Sequence, residues 1–429
     1  MRQFFTLLVI AILVFASCGK APVSDTDISN DDWFGSGKNT LRSGMAAGEL
    51  LPPFGSLWVY EMPGIGISSA SVATVPPTTD LAVKGVSKVV FVASGDKTVH
   101  ALDFANGGHI WGASYPAQVG DPVYSGGKVV FLTSDGVIQC NDAWDGTELW
   151  VSRYSTTQEI TREECSPVIS GGYVFAGFSS GLVMAFDMVT GFEVWREKMG
   201  DRINSSPIVV QGKVIFASYS GDITAFNVAT GEIKWTGKLR SPSISNLVSD
   251  GNVVYACGAF GTISAFDVKD GVELWNIDVN DTIRFSPCIT TKGLTVPCDS
   301  GSVKVFDLEN GDELMSFKTP LPSSGLTCAS NLVVFNTQDG KLGVCNVESG
   351  DMAIGYEFAT WQEGVMTQRF GDIAIVDGML FTSDGLSKLF CLAPKDIARK
   401  AHSIEQQAQD STTEDEDPNS EEEVVEDNL

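Results

Sequence analysis

The residue types that most often carry out catalysis are few in this 429-residue chain, and their spacing matches no common catalytic motif. Histidine, a frequent general base and metal ligand, occurs three times, at His100, His109 and His402. None of the three has the spacing typical of a metal site. The sequence contains no glycine-rich phosphate loop, no nucleophile elbow and no Cys-x-x-Cys pair. It therefore predicts no catalytic residue, no bound metal and no cofactor, and it predicts that the protein is not an enzyme.

A repeat with a period of about 40 residues must position whatever site the chain has. Each copy places a small or apolar pair before Asp or Asn, then a Gly four residues later and often a Trp, as in Ala225-Phe226-Asn227…Thr230-Gly231…Trp235. The turn glycines of the copies are Gly107, Gly146, Gly191, Gly231, Gly271, Gly311 and Gly350. A period of this length, rich in strand-forming residues, predicts a propeller or an array.

We interpret each copy as one four-stranded blade. In the copy that ends at Trp235, four runs rich in Val, Ile, Phe and Thr predict strands separated by hairpin turns: Ser206–Val210, Lys213–Ser218, Asp222–Asn227 and Glu232–Leu239. The turn residue Gly231 is expected to adopt a positive φ, where a Cβ atom would clash. The recurring Trp is expected to seal the seam between neighbouring blades.

The number of copies indicates how the ring closes. Seven copies are complete, and an eighth begins near Asp372 but ends before its fourth strand. The missing strand is present near the other end of the chain, at Ser56–Tyr60. Pairing of the two ends in one blade leaves no open blade face. The sequence therefore predicts an all-β, eight-bladed propeller that is closed by an N-terminal strand joining the C-terminal blade.

The eight cysteines after Cys18 are scattered singly through the repeats, which is not the pattern of a disulfide framework. Cys288 and Cys328 fall at equivalent positions of adjacent blades, so one bridge between them is conceivable. Use of all eight as small buried apolar residues is favoured.

The N-terminus carries an export signal. Met1-Arg2 is followed by the apolar run Phe4–Phe15 and then by Ala16-Ser17-Cys18-Gly19, which predicts a lipoprotein signal with lipid, including palmitate, on Cys18. The alternative is an uncleaved N-terminal anchor. The predicted parts of the chain are a signal peptide at 1–17, a lipidated Cys and flexible linker at 18–54, the propeller at 55–398 and an acidic disordered tail at 399–429.

The charge of the chain argues against one class of partner. The formal net charge is −26, and residues 403–429 hold eleven acidic and no basic side chains. Nucleic-acid binding needs a basic surface, so none is expected. A solvated, solubilising tail is favoured over a docking element.

The repeat Ala-Phe-Asp-x-x-Thr-Gly-x-x-x-Trp resembles the tryptophan-docking motif of pyrroloquinoline-quinone (PQQ) propellers. Two families use this motif, the quinoprotein dehydrogenases and the BamB lipoproteins of the outer-membrane β-barrel assembly machinery. The order of lipobox, linker, closing strand and eight blades, without a second domain, is similar to the BamB family over residues 1–398. The dehydrogenases also carry an adjacent Cys-Cys pair, calcium ligands and a catalytic Asp, and this chain has no adjacent cysteines.

The BamB resemblance implies a membrane-anchored scaffold that holds the barrel-inserting subunit BamA through loops on one side of the ring. Other members of the machinery and unfolded outer-membrane proteins are further expected partners. The family's contact segment is Arg-rich and precedes a blade's first strand. Its local match here points to Arg162 and Glu164, whereas blade counting points to Arg202 and Asn204. Both alternatives stay open, and Arg162 is favoured because its spacing to Glu164 and Pro167 reproduces the family segment.

The resemblance also implies a location on the periplasmic face of the outer membrane, held by the lipid on Cys18. Two functions of different classes remain. The favoured one is the non-catalytic scaffold. The alternative is an exported PQQ-dependent, dehydrogenase-like enzyme or ligand-binding sensor, whose site would lie in the central channel.

Overall fold

The computed structural model describes residues 32–35, 38–46, 49–154, 165–243, 245–358, 371–401 and 403. Its strands form eight antiparallel sheets, and the first strand of each sheet contacts the first strands of the two neighbouring sheets all the way round. The prediction of an all-β, eight-bladed propeller is confirmed.

We number the blades 1 to 8 in the chain order of their inner strands. The inner strands are β3 Ser71–Thr74, β7 Val123–Ser125, β11 Val168–Ser170, β15 Ile208–Val210, β19 Val248–Ser249, β23 Cys288–Ile289, β27 Thr327–Ala329 and β31 Ala374–Val376. The second strands are β4 Lys88–Ala93, β8 Lys128–Thr133, β12 Tyr173–Gly177, β16 Lys213–Ala217, β20 Val253–Cys257, β24 Leu294–Cys298, β28 Leu332–Asn336 and β32 Met379–Ser383. The third strands are β5 Thr98–Asp103, β9 Val137–Asp142, β13 Leu182–Asp187, β17 Asp222–Asn227, β21 Thr262–Asp267, β25 Ser302–Phe306, β29 Lys341–Asn346 and β33 Lys388–Pro394.

The outer strands of blades 1 to 7 are β6 His109–Ser114, β10 Glu148–Arg153, β14 Glu193–Lys198, β18 Ile233–Lys238, β22 Glu273–Asp278, β26 Glu313–Lys318 and β30 Met352–Glu357. Blade 8 takes its outer strand from β2, Phe54–Glu61. Two further elements are the short strand β1 (Met45–Ala46), which pairs with β27, and the single-turn helix α1 (Asp80–Val83).

The position of a strand within its blade explains its composition. Middle strands such as β16 are packed between two other blades and are therefore buried almost throughout, so their residues are nearly all apolar. Outer strands such as β14 face solvent, and in β14 only Trp195 is buried. Each outer strand thus has one face exposed to solvent and one face on which a side chain such as Trp195 is buried.

The recurring tryptophans seal the seams between blades, as predicted. The Trp195 indole packs against the turn of the next blade, where a Cβ added at Gly231 would lie 2.8 Å from Trp195 Cδ2. Its Nε1 donates a hydrogen bond of 2.9 Å to the carbonyl oxygen of Val228 in the same turn. The other tryptophans that make both contacts are Trp58, Trp111, Trp150, Trp235 and Trp275.

The ring closes as predicted. β2 pairs antiparallel with β33, so the predicted strand Ser56–Tyr60 lies inside a longer strand of blade 8. Trp58 of this strand docks on Gly107 of blade 1 in the same way as the other tryptophans. The closing strand therefore supplies both a sheet edge and a seam contact.

The prediction of a flexible linker over residues 18–54 is wrong for the residues described before β2. Residues 32–35 and 38–46, which we call the axial segment, run around the inside of the ring. Inner strands of a propeller have an unpaired inward edge, and the axial segment satisfies six of these edges. In each case the donor is the N–H group of the second residue of an inner strand, and the acceptor is a carbonyl oxygen of the axial segment. The six bonds are Val72 to Trp33, Tyr124 to Phe34, Val209 to Thr40, Ser249 to Leu41, Ile289 to Ser43 and Cys328 to Gly44.

The chain continues past the last strand as a helix over residues 395–401. Residues 399–401 of the predicted tail thus belong to this helix, in which Ala398 is buried beside Gly55 of the closing strand. Apart from Ser403, the tail beyond residue 401 lies outside the described residues, as does Cys18. Across the ranges given above, no helix is long and apolar enough to cross a membrane.

The cysteines described by the structure are all buried, and none of them is joined to another by a disulfide. The bridge considered between Cys288 and Cys328 is therefore not formed, although the two thiols interact, and burial raises the pKa of Cys288. This agrees with their use as small apolar residues.

Candidate interaction face and axial channel

One face of the ring carries two kinds of loop. These are the loops that join an outer strand to the next inner strand, such as 199–207, and the turns that join second and third strands, such as 218–221. We call this side the loop face. In antiparallel blades the remaining turns all lie on the opposite face.

Arg202 is the described candidate that lies exposed on the loop face. Its guanidinium carbon is 3.8 Å from the centre of the Tyr219 ring, which belongs to the neighbouring turn. Its backbone is fixed as well, because Tyr219 N–H donates to the Arg202 carbonyl oxygen at 2.8 Å. The guanidinium is thus held in place on an aromatic ring with its donors still available.

Exposed apolar side chains occupy corresponding loops of the following blades. Phe260, in the second-to-third-strand turn of blade 5, is 67% exposed. Leu321, in the loop that enters blade 7, is 44% exposed. With Arg202 and Tyr219 they form an arc over blades 4 to 7, which we call the loop-face arc. An Arg stacked on an aromatic ring, with exposed apolar side chains in loops of the following blades, has the composition typical of a protein-binding hot spot.

Of the four predicted partner-binding residues, Arg202 and Asn204 lie in the part of the chain that the structure describes. Asn204 lies two residues after Arg202 and is half-buried in the same loop. Arg162 and Glu164 lie outside the described residues, so their prediction stays a prediction. Sequence reasoning did not single out Phe260 or Leu321, and only their positions in equivalent loops could have indicated them.

Residues just before the inner strands are joined by a chain of hydrogen bonds, which we call the polar belt. Its members lie before all eight inner strands. The bonds run from Ser69 N–H to Asp121 Oδ1 (3.0 Å), Ser166 Oγ to Asp121 Oδ2 (2.7 Å), Ser166 N–H to Ser206 Oγ (2.9 Å), Ser206 N–H to Asn246 Oδ1 (2.9 Å), Asn246 N–H to Ser286 Oγ (3.3 Å), Leu326 N–H to Ser286 O (2.9 Å), Gly325 N–H to Asp372 Oδ1 (3.1 Å) and Asp372 N–H to Ser69 Oγ (3.0 Å). The belt therefore links every blade to the next.

Arg42 of the axial segment binds to the underside of this belt. Its Nε donates to the Pro207 carbonyl oxygen at 3.0 Å, and its Nη2 donates to the Ser166 carbonyl oxygen at 3.3 Å. Burial lowers the pKa of Arg42 to about 10, and the nearby carboxylates of Asp121 and Asp372 act in the opposite direction. The guanidinium stays charged at neutral pH.

Asp121 and Asp372 are half-buried. Burial raises the pKa of Asp121, while the Ser166 hydroxyl, the Ser69 amide and Arg42 stabilise its charged form. Sequence reasoning missed both aspartates and Arg42. A signal was present in the recurring polar-Pro pair before inner strands, as in Asp121-Pro122 and Ser206-Pro207.

Eight four-stranded blades, with a Trp or Met packed on the next blade's turn glycine at seven of the eight seams, define a propeller of PQQ-like repeats. The family model of the outer membrane protein assembly factor BamB matches residues 66–256 and 240–412 of this sequence. The chain therefore belongs to the BamB family. No curated protein matches the chain.

Solved structures share the fold at low identity. BamB from Moraxella catarrhalis is 22% identical, with a TM-score of 0.54 over 60% of this chain and 81% of that one. The europium-containing methanol dehydrogenase is 12% identical, with a TM-score of 0.68 over 85% of this chain and 98% of that one. The quinohemoprotein alcohol dehydrogenase ADHIIG from Pseudomonas putida is 13% identical, with a TM-score of 0.67 over 85% and 80%. These similarities show the fold alone, since it hosts both kinds of protein.

Among the described residues, no group of three or more His, Cys, Asp or Glu side chains is arranged to hold a metal ion such as calcium. Six of the eight inner-strand edges that face the axis are paired with the axial segment. Asp121 and Asp372 instead belong to a belt that joins the blades.

Proposed function

We propose that this protein is a non-catalytic, membrane-anchored scaffold of the outer-membrane β-barrel assembly machinery, and that its loop-face arc binds the barrel-inserting, BamA-like subunit. Membership of the BamB family supports the class of function. The observation that carries the binding site is the exposed guanidinium of Arg202, held on Tyr219, with Phe260 and Leu321 exposed in loops of the following blades.

The geometry of Arg202 suits a contact of high energy. A planar guanidinium can form two parallel hydrogen bonds with a carboxylate, and a preorganised side chain loses less conformational entropy on binding. Apolar neighbours exclude water from such a contact, which strengthens it. We infer that the partner presents a carboxylate flanked by apolar side chains.

The N-terminal signal fits the same function. Lipid on Cys18 would hold the ring at the periplasmic face of the outer membrane, close to the partner subunit. Other members of the machinery and unfolded outer-membrane proteins are further expected partners. Holding the scaffold and the barrel-inserting subunit on one membrane raises their effective concentration.

The test is capture of the barrel-inserting subunit from membranes by the full-length protein. Arg202→Glu should abolish capture, and Tyr219→Ala should weaken it because the guanidinium loses its support. The matched control is Arg196→Glu, since Arg196 is a similarly exposed arginine on the outer strand β14 of the preceding blade. The control should capture the subunit normally.

The alternative alignment is tested in the same assay with Arg162→Glu. Loss of capture in that variant, with normal capture by Arg202→Glu, would place the interface one blade earlier. Normal capture by both variants would refute a loop-face interface. Oxidation of an alcohol by the purified protein after addition of PQQ and calcium would overturn the scaffold function itself.

A further inference from the structure

Two of the three histidines in the chain meet at one place, the seam where the ring closes. His100 lies on β5 and His109 on β6, both in blade 1. Their ring centres are 6.0 Å apart and their planes are inclined by 74°. The closing strand β2 of blade 8 covers them, and we call this region the closing seam.

His100 is buried but makes no hydrogen bond. It is 6% exposed, and neither ring nitrogen has a partner among the residues of the described ranges. Its neighbour across the β5–β6 pair is Gly112. A Cβ added at Gly112 would lie 3.0 Å from Nε2 of His109. The His109 ring therefore covers Gly112, the residue paired with His100, and the two imidazoles lie on the same face of the sheet.

The equivalent pair of positions is hydrogen-bonded in three other blades. In blade 2 the pair is Gln139 and Glu148, 3.1 Å apart, and in blade 5 it is Ser264 and Glu273, also 3.1 Å apart. Blade 6 has Lys304 and Glu313 at 3.2 Å. Each of these pairs joins a donor to a carboxylate. Blade 1 has two imidazoles instead, so the buried polar atoms lack the partner that these three blades provide.

Tyr60 of β2 is the third ring at the closing seam, beside His100 and His109. Its ring centre is 5.8 Å from His100 and 6.3 Å from His109. The carboxylate of Asp96 is close enough to act on the pKa of His100, which burial lowers. Because neither ring nitrogen has a hydrogen-bond partner among the described residues, His100 is available as a nitrogen ligand. His109 is exposed, which leaves a path from solvent.

We propose that His100 and His109 together bind a late first-row divalent metal ion such as Zn²⁺ at the closing seam, with water completing the coordination. Imidazole is a preferred ligand of Zn²⁺, Cu²⁺ and Ni²⁺. Two imidazoles that share one ion at about 2.0–2.1 Å have ring centres roughly 5–6 Å apart, which is close to the spacing here. The negative charge of Asp96 favours a cation at this place.

The proposed ion would act on the closure of the ring. It would hold β5 and β6 together directly beneath Tyr60, so that blade 1 would present a more rigid surface to the closing strand. A ligand that binds the folded state alone raises stability by mass action. We therefore expect Zn²⁺ to raise the thermal midpoint of the folded protein.

The test is titration of the full chain, purified without a histidine tag and treated with a chelator, with Zn²⁺ in a calorimeter at pH 7.5. One ion should bind per chain. His109→Asn should weaken binding at least tenfold, because loss of even an indirect metal contact costs about 10–100-fold. His402→Asn is the control and should bind like the natural chain.

A second variant keeps the test independent of misfolding. The double change His100→Gln and His109→Glu copies the bonded pair of blade 2, so it should fold, as checked by circular dichroism, and should not bind Zn²⁺ through two imidazoles. With Cu²⁺ as a second probe, electron paramagnetic resonance should show coupling to two nitrogen ligands in the natural chain. Absence of binding in the natural chain, or equal binding in the double variant, would overturn the proposal.

Discussion

Two glycines with nearly the same backbone conformation provide a direct test of how the blades are sealed. Gly212 and Gly231 have φ angles of 70° and 73°. A Cβ added at Gly212 would meet nothing within 4 Å, whereas one added at Gly231 would lie 2.8 Å from Trp195. Replacing each by Ala thus imposes the same backbone strain, and the two variants differ only in the seam.

The magnitudes follow from the separate contributions. A positive φ costs an L-residue about 1–2 kcal/mol, and this applies to both variants. Gly231→Ala adds the cost of overpacking, about 1–3 kcal/mol. Displacement of the indole also endangers the Trp195 hydrogen bond to Val228, which contributes about 1 kcal/mol. We expect Gly231→Ala to lower the free energy of unfolding by about 2–4 kcal/mol more than Gly212→Ala.

The assay is equilibrium unfolding in urea followed by tryptophan fluorescence. The two variants should have the same slope against denaturant and different midpoints, because the change in stability is local. Gly231→Val should be less stable still, since a β-branched residue tolerates a positive φ poorly. A difference between the two Ala variants below about 0.5 kcal/mol would refute the role assigned to the indole–glycine contact.

Deleting residues 54–61 should make the protein aggregate, because β33 would lose its partner and expose a sheet edge, and an unchanged monomer by light scattering would argue against the shared blade. Arg42→Ala should destabilise the protein by about 2–4 kcal/mol and speed hydrogen exchange at the Val209 and Ser249 amides, since the axial segment loses its buried charged bonds; unaltered exchange would contradict this. Asp121→Asn should change the pH dependence of unfolding. The raised pKa of Asp121 means that the folded protein binds this proton more tightly than the unfolded chain does. The stability that Asp121 contributes is therefore present below pH 3.8 and is lost as pH rises through the folded pKa. The stability difference between the natural chain and Asp121→Asn, measured in urea, should therefore fall as pH rises from about 4, and a flat difference would show that burial does not govern this carboxyl.

The repeat predicts those features of the fold that depend on residues close together in the sequence. Gly231, Trp195 and the alternation of strands and turns predict a blade because each depends on backbone conformation and on contacts that recur in every copy. The closing strand was also predictable, since an incomplete eighth copy and a spare Trp58 strand complement each other. Family membership agrees with this part of the interpretation.

The candidate contact surface was predictable only in part. Counting blades places Arg202 in a loop before an inner strand, and the structure confirms that position. The same count does not show that Tyr219 supports the guanidinium or that Phe260 lies exposed in the corresponding turn of the next blade. Those relations depend on how successive blades are rotated about the axis, which no single repeat encodes.

The amino-acid sequence by itself thus determined the blades, their number and their closure, because these follow from short-range patterns copied along the chain. Only the tertiary structure decided the path of the axial segment, whose Ser, Gly and Asn residues have no periodicity and whose partners are inner strands far along the chain. It likewise decided that Arg42 lies beneath the polar belt and that His100 meets His109. Such contacts form when a ring closes and brings equivalent edges to one axis, so they exist only in the folded protein.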